Sequence, residues 1–188
     1  MFRVSKPERK LLLEIARGAV RAHLMEEKFP VREIPNGTLR QPHGVFVSIH
    51  CGPKLRGCIG RFQTDVPLFQ TTAECAVSAA MADSRFLPIK AGELEHISFE
   101  ISALTPLKKI ERVDQLKLGR HGLMVAKGSR QGLLLPQVAS RYKWDRREFL
   151  RQTCLKAGLG PEEWKSGSNI FVFEAVVFDE PLGRPAHP

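Results

Sequence analysis

The chain is poor in the residues that most often announce a chemistry: one tyrosine, two tryptophans and four cysteines in 188 residues. Cys51, Cys58, Cys75 and Cys154 form no CxxC pair and no closely spaced Cys/His cluster, so neither a zinc site nor a redox motif is indicated. Free thiols in a reducing compartment are expected, with no metal. No apolar run approaches the roughly 20 residues that span a bilayer. The first ten residues are charged and lead into a helical pattern instead of an apolar leader, which points to a cytoplasmic protein. Internal repeats, a P-loop, GxGxxG and GxSxG are also missing. The corresponding nucleotide, dinucleotide and serine-hydrolase chemistries lose their support, and no diffusible cofactor is expected.

What is present suits a folded chain the size of one domain, with room for two lobes: 43% hydrophobic and 26% charged residues. The net charge of +9 is unevenly placed. Residues 101–156 hold 13 Lys+Arg against 4 Asp+Glu, while the rest holds 16 of each. Such a block is a phosphate-facing surface, a docking face for an acidic partner, or a solvated face.

Apolar residues at Leu12, Ile15, Ala16, Ala19, Val20, His23 and Leu24 predict an amphipathic helix from Ser5 to about Lys28, with Ser5 as cap and Glu8 three residues on. Residues 29–43 read as a surface connection. Gly44 to about residue 63 reads as a β-hairpin turning at Gly52-Pro53-Lys54. The alanine-rich stretch Val66–Met81 predicts a helix packed closely on something flat, capped by Thr64 or Asp65. Ile97–Leu107 alternates as a half-buried strand. A second hairpin is expected over 118–135, a short helix from Pro136 to about Tyr142, a helix from Arg146 to Ala157 capped by Asp145, and a central strand over Asn169–Phe178. Cys154 falls on the apolar stripe of its helix and reads as core, as do Trp144 and Trp164.

The second arm of the first hairpin reads Leu55-Arg56-Gly57-Cys58-Ile59-Gly60. Strict alternation places Arg56 and Cys58 on one face. A cationic neighbour favours thiolate over thiol, so the pair is a candidate activated nucleophile; the plainer reading is a buried thiol beside a strand-edge charge. The glycines mark a bulge or the close approach of a backbone or ligand.

Asp83 and Arg85, at the end of the alanine-rich helix, pair with each other, cap the terminus, or present an acid and a base to a cleft; the sharper alternative is a buried Arg fork that binds a carboxylate or phosphate. His121 is a candidate proton carrier at the mouth of the second hairpin, or an inert loop histidine. Arg141, Tyr142, Lys143, Trp144, Arg146 and Arg147 mix cations with aromatics as single-strand nucleic-acid binders do, without an RNP, KH or helix-turn-helix signature.

The six-residue arm, together with Gly44-Val45-Phe46-Val47, Asp83-Ser84-Arg85-Phe86-Leu87-Pro88, Ser102-Ala103-Leu104-Thr105-Pro106, Gly122-Leu123, Leu134-Leu135-Pro136-Gln137-Val138-Ala139 and Cys154-Leu155-Lys156-Ala157-Gly158-Leu159, resembles the AMMECR-domain family. That family is named from the Alport syndrome, mental retardation, midface hypoplasia and elliptocytosis chromosomal region. One departure is Leu87, where relatives often carry a second proline.

The resemblance implies an α+β domain over residues 1–182, with antiparallel sheet and packed helices in two unequal lobes. The smaller, basic lobe covers about 107–160, the motif lies near the cleft between the lobes, and 183–188 form a loose tail. It also implies two partners, a Memo-like protein and a radical-SAM protein, encoded beside or fused to prokaryotic relatives. It supplies no reaction.

Three functions are weighed. The first is a thiol-based enzyme site in which Arg56 polarises Cys58, Asp83 and Arg85 orient an anionic group, His121 moves a proton, and Gly57, Gly60 and Gln137 contact substrate. The second is nucleic-acid binding through Arg141, Lys143, Arg146 and Arg147. The third is an adaptor docked on the Memo-like or radical-SAM protein through the basic face.

Overall fold

The computed structural model describes residues 2–29 and 33–180; the tail expected over 183–188 lies outside them. The described chain falls into two units, one built from residues up to Leu104 and again from Val176, the other from Thr105–Ala175.

In the first unit, helix α1 (Lys6–Leu24) starts at a reciprocal cap: the Glu8 N–H donates to Ser5 Oγ, and the Ser5 N–H donates to Glu8 Oε2 at 2.7 Å. It stops short of Lys28, because the chain turns out through Glu26 at φ 56°. Strands β1 (Val45–Cys51), β2 (Lys54–Arg61) and β3 (Ile97–Leu104) follow the order β2-β1-β3, all antiparallel, with the closing strand β7 (Asn169–Asp179) next to β3.

Helix α2 (Leu68–Met81) lies on this sheet, and its small residues explain how closely. A Cβ built on Gly57 of β2 would stand 2.0 Å from the Ala79 carbonyl oxygen, so the strand glycine admits the helix backbone itself. Buried Ala76, Ala79 and Ala80 complete the contact within a core that includes Leu12, Ile15, Val47, Ile49 and Phe99.

Two expectations change. Neither Thr64 nor Asp65 caps α2; Pro67 occupies that position and Thr64 Oγ1 instead accepts the Val66 N–H in a local turn. Strand β3 is buried on both faces, since Ser98, Ser102 and Leu104 are buried as fully as their apolar neighbours and only Glu100 stays partly open. Its alternating hydroxyls had suggested a wet face, but short serines fit under a covered one. Arg17 ties α1 to this strand: it donates to the Leu94 and Ile97 carbonyls and forks onto Glu180, whose carboxylate also accepts the Phe99 N–H.

In the second unit, β7 runs antiparallel to β4 (Lys108–Ile110) and β5 (His121–Lys127), and β5 to β6 (Arg130–Leu134). The sequence pattern missed β4, which is three residues long and mostly lysine, a composition that blunts sheet edges. Helices α3 (Pro136–Arg141) and α4 (Arg146–Lys156) pack over Leu116, Leu123 and Val172, α3 through Ala139 and α4 through Phe149 and Leu150. Asp145 caps α4 as expected, accepting the Glu148 N–H at 2.8 Å. Cys154 is fully buried in this unit's core. The architecture is α+β with an antiparallel sheet.

Among the described residues no helix is long and apolar enough to cross a membrane.

Candidate functional site

The signature arm does not alternate throughout. Ser48 faces Cys58 and Ile49 faces Gly57, but His50 faces Leu55, so Arg56 is the extra residue of a β-bulge. Its guanidinium is engaged elsewhere: Nε and Nη2 donate to Glu93 Oε1 at 3.1 and 2.9 Å, and Nη1 donates to the Leu87 carbonyl at 3.2 Å. Burial pushes Glu93 up, yet the Lys90 N–H and the Arg56 guanidinium outweigh it and hold the carboxyl below its ordinary value.

The cation that reaches Cys58 is Arg85. Asp83 Oδ2 accepts the Cys58 N–H at 2.8 Å, while Arg85 Nη2 donates to the Cys58 carbonyl at 3.3 Å. The two side chains are themselves joined in a fork, Arg85 Nε to Asp83 Oδ1 at 2.9 Å and Nη2 to Oδ2 at 2.7 Å. Asp83 is nearly buried, with 5% of its side chain exposed, and Arg85 is 57% exposed. The Arg85 guanidinium holds the Asp83 carboxyl well below the usual carboxylate range; burial opposes this, and the amides of Cys58 and Arg85 add to it. The same pairing raises Arg85, with a smaller contribution from the Cys58 side chain.

Above the strand, Ser48 Oγ donates to Cys58 Sγ at 3.2 Å. Cys58 is half-buried and unpaired, as is Cys51, whereas burial pushes the Cys75 thiol up to about 11. Of the glycines expected to touch substrate, Gly57 faces the Ala79 backbone and Gly60 lies under the Phe46 ring.

The structure therefore gathers Cys58, Asp83 and Arg85, and adds Ser48 and Glu93, which the sequence reading did not single out. Ser48 could have been found from the hairpin register; Glu93 carries no local signal.

His121 and Gln137 belong to the second unit. His121 Nδ1 accepts the Lys117 N–H at 3.2 Å, and burial, then the charge of Arg120, lowers its pKa. Gln137 is exposed on α3. Of the basic cluster, Arg141, Lys143, Arg146 and Arg147 are all exposed, and Arg146 Nε donates to the Leu116 carbonyl at 2.7 Å. Among the described residues no group of three or more His, Cys, Asp or Glu is disposed to hold a metal ion.

The AMMECR1 family model matches residues 13–178, which contain the whole Cys58, Asp83 and Arg85 cluster. The chain belongs to the AMMECR1 family. Relatives of this AMMECR1-family chain span nearly its full length. Protein MK0488 of Methanopyrus kandleri is 44% identical over 183 residues, covering 92% of this chain and 88% of its own. Protein PF1979 of Pyrococcus furiosus is 40% identical over 197 residues, 98% of this chain and 93% of its own. Among solved structures, the uncharacterised protein PH0010 of Pyrococcus horikoshii is similar to the AMMECR1 fold described above, with TM-score 0.86, 38% identity, and coverage of 98% of this chain and 97% of that one.

Proposed function

We propose that this AMMECR1-family chain works with a Memo-like protein and a radical-SAM protein, and that its chemical group is the Cys58 thiol. The partner half of the reading rests on the family resemblance. The observation that carries the site is the set of groups around one residue: the Ser48 hydroxyl on the sulfur, Asp83 on the amide and Arg85 on the carbonyl. A half-exposed sulfur that accepts a hydroxyl hydrogen bond, on a residue whose backbone is held on both sides, is positioned as a candidate nucleophile. In this reading Asp83 and Arg85 are positioning residues for Cys58, and Arg56 supports the loop carrying Leu87.

The test is limited alkylation of the native protein, read by mass spectrometry at each cysteine, with Arg85→Ala alongside. Fast labelling of Cys58 that slows in the variant is expected. Protection of Cys58 until denaturation would return the motif to a purely folding role. Co-elution of the purified chain with a Memo-like or radical-SAM protein tests the partners separately, and its absence removes that half of the reading alone.

A second reading is nucleic-acid binding through the second unit. One observation favours it: the Tyr142 and Trp144 rings stack at 4.9 Å and 17°, with Tyr142 59% exposed between Arg141 and Lys143. Exposed aromatic platforms beside cations hold unpaired bases. Binding to a single strand should fall steeply with salt and weaken in Tyr142→Ala. No binding at about 50 mM salt, a regime that favours phosphate contacts, would remove it.

A further inference from the structure

The second unit contains a cleft of about 500 Å³ whose charged and titratable side is made by Lys108, Lys117, Arg120, His121 and one carboxylate, Glu174. Its volume is that of a small-molecule site. Three features of these side chains limit what it can take.

The first is the charge left over. Arg120 is committed, donating through Nε and Nη2 to Glu174 Oε1 at 2.8 and 2.6 Å. Among the described residues no carboxylate lies within ion-pair distance of Lys108 or Lys117, although Lys109 and Arg112 nearby are paired with Glu111 and Asp114. Two ammonium groups therefore face the cleft with no fixed counter-charge.

The second is the histidine. Because Nδ1 accepts the Lys117 N–H, neutral His121 carries its proton on Nε2 and is a hydrogen-bond donor there. The third is the apolar side of the cleft, where exposed Pro106 stands beside a floor of nearly buried Ile110, Val172 and Phe173, a surface that a bare ion does not need.

We infer that this cleft binds a small organic phosphate monoester, its dianionic phosphate between Lys108 and Lys117 and its body against Pro106. A phosphate suits the site better than a carboxylate. Lysines act as separate point charges for a tetrahedral dianion, and the one planar fork able to grip a carboxylate bidentately is taken by Glu174. Gln115, also on the cleft, adds amide donors. None of this depends on the Cys58 reading.

The test is titration of the full chain at low salt, by calorimetry or amide shifts, with phenyl phosphate, inorganic phosphate and benzoate. Saturable binding of phenyl phosphate is expected, tighter than either of the others. Lys108→Gln plus Lys117→Gln should weaken it at least about tenfold, the scale of lost charge-assisted contacts, with an unchanged melting temperature. Lys109→Gln plus Lys156→Gln removes equal charge outside the cleft and should leave binding intact. Absence of saturable binding, equal affinity for phenyl phosphate and benzoate, or equal weakening by the two double variants would overturn the proposal. Equal affinity for phenyl phosphate and inorganic phosphate would do the same, since the apolar wall would then be idle.

Discussion

Asp83 Oδ2 accepts the amide N–H of Cys58 at 2.8 Å. Arg85, joined to Asp83, donates to the carbonyl of the same residue. Strand β2 stands at the edge of the sheet order, so the outward N–H and C=O of Cys58 have no neighbouring strand to pair with. An acceptor and a donor supplied by one ion pair stand in for that strand, and they protect an edge that would otherwise be open to pairing with another chain.

Asp83→Asn keeps the shape but removes the charge and half of the fork. The nearly buried carboxylate holds two backbone amides and a guanidinium. A loss of about 1–3 kcal/mol, the range for hydrogen bonds to charged groups, is expected in urea unfolding, and Asp83→Ala should lose more.

The acid side of the stability profile should carry the same signature. The native Asp83 pKa is depressed below its unfolded value, so the unfolded chain binds more protons and stability rises with pH. The contribution is fully present above the unfolded carboxylate value of about 3.9 and is lost as pH falls below it toward the native value. Acid unfolding of Asp83→Asn should therefore show a shallower dependence through this window. Identical slopes would mean that the pair contributes nothing.

Gly57→Ala tests the strand-to-helix contact. The added carbon would stand 2.0 Å from a helix carbonyl oxygen, which cannot rotate away. Destabilisation of roughly 1–3 kcal/mol or more, the scale of overpacking, is expected, seen as a lowered urea midpoint. Gly52→Ala instead meets open space, at φ 54°, and isolates the effect of backbone strain from that of crowding.

Arg56→Ala separates the two arginines. It frees Glu93 and the Leu87 carbonyl but leaves the Cys58 contacts in place. Alkylation of Cys58 should proceed as in the parent protein, with a loss of about 1 kcal/mol for a partly exposed ion pair. Slowing equal to that of Arg85→Ala would show that the bulge does not isolate Arg56 from the thiol.

His121 should titrate by NMR below the free-histidine value of about 6.5, since burial and then Arg120 lower it. Protons favour the unfolded chain here too, so its contribution is complete above the unfolded value and is lost as pH falls through that value. Arg120→Gln should move the titration upward.

Much of this molecule was legible in one dimension. Helix α1 with its Ser5 and Glu8 cap, both hairpins, the Asp145 cap and the central β7 follow from periodicity and from short-range donors and acceptors, because each is settled by residues within a few positions of one another. The same local logic placed Cys154 in a core. The motif residues Cys58, Asp83 and Arg85 could be singled out, and the fold brings them together.

What each of them does there was decided by tertiary structure. A single bulge, one of the two features the glycines of this arm announce, breaks the alternation at Arg56, and the fold gives that residue to Glu93, 37 positions away. Arg85 then supplies the cation at Cys58 from the far end of α2. Alternation is a property of the strand alone, whereas the partner of a long charged side chain depends on which distant group of opposite sign the fold brings within about 3 Å, the hydrogen-bonding range. The sequence by itself determined most of the elements and marked three residues that the fold brings together; packing determined which others join them, Ser48 among them, and how they pair.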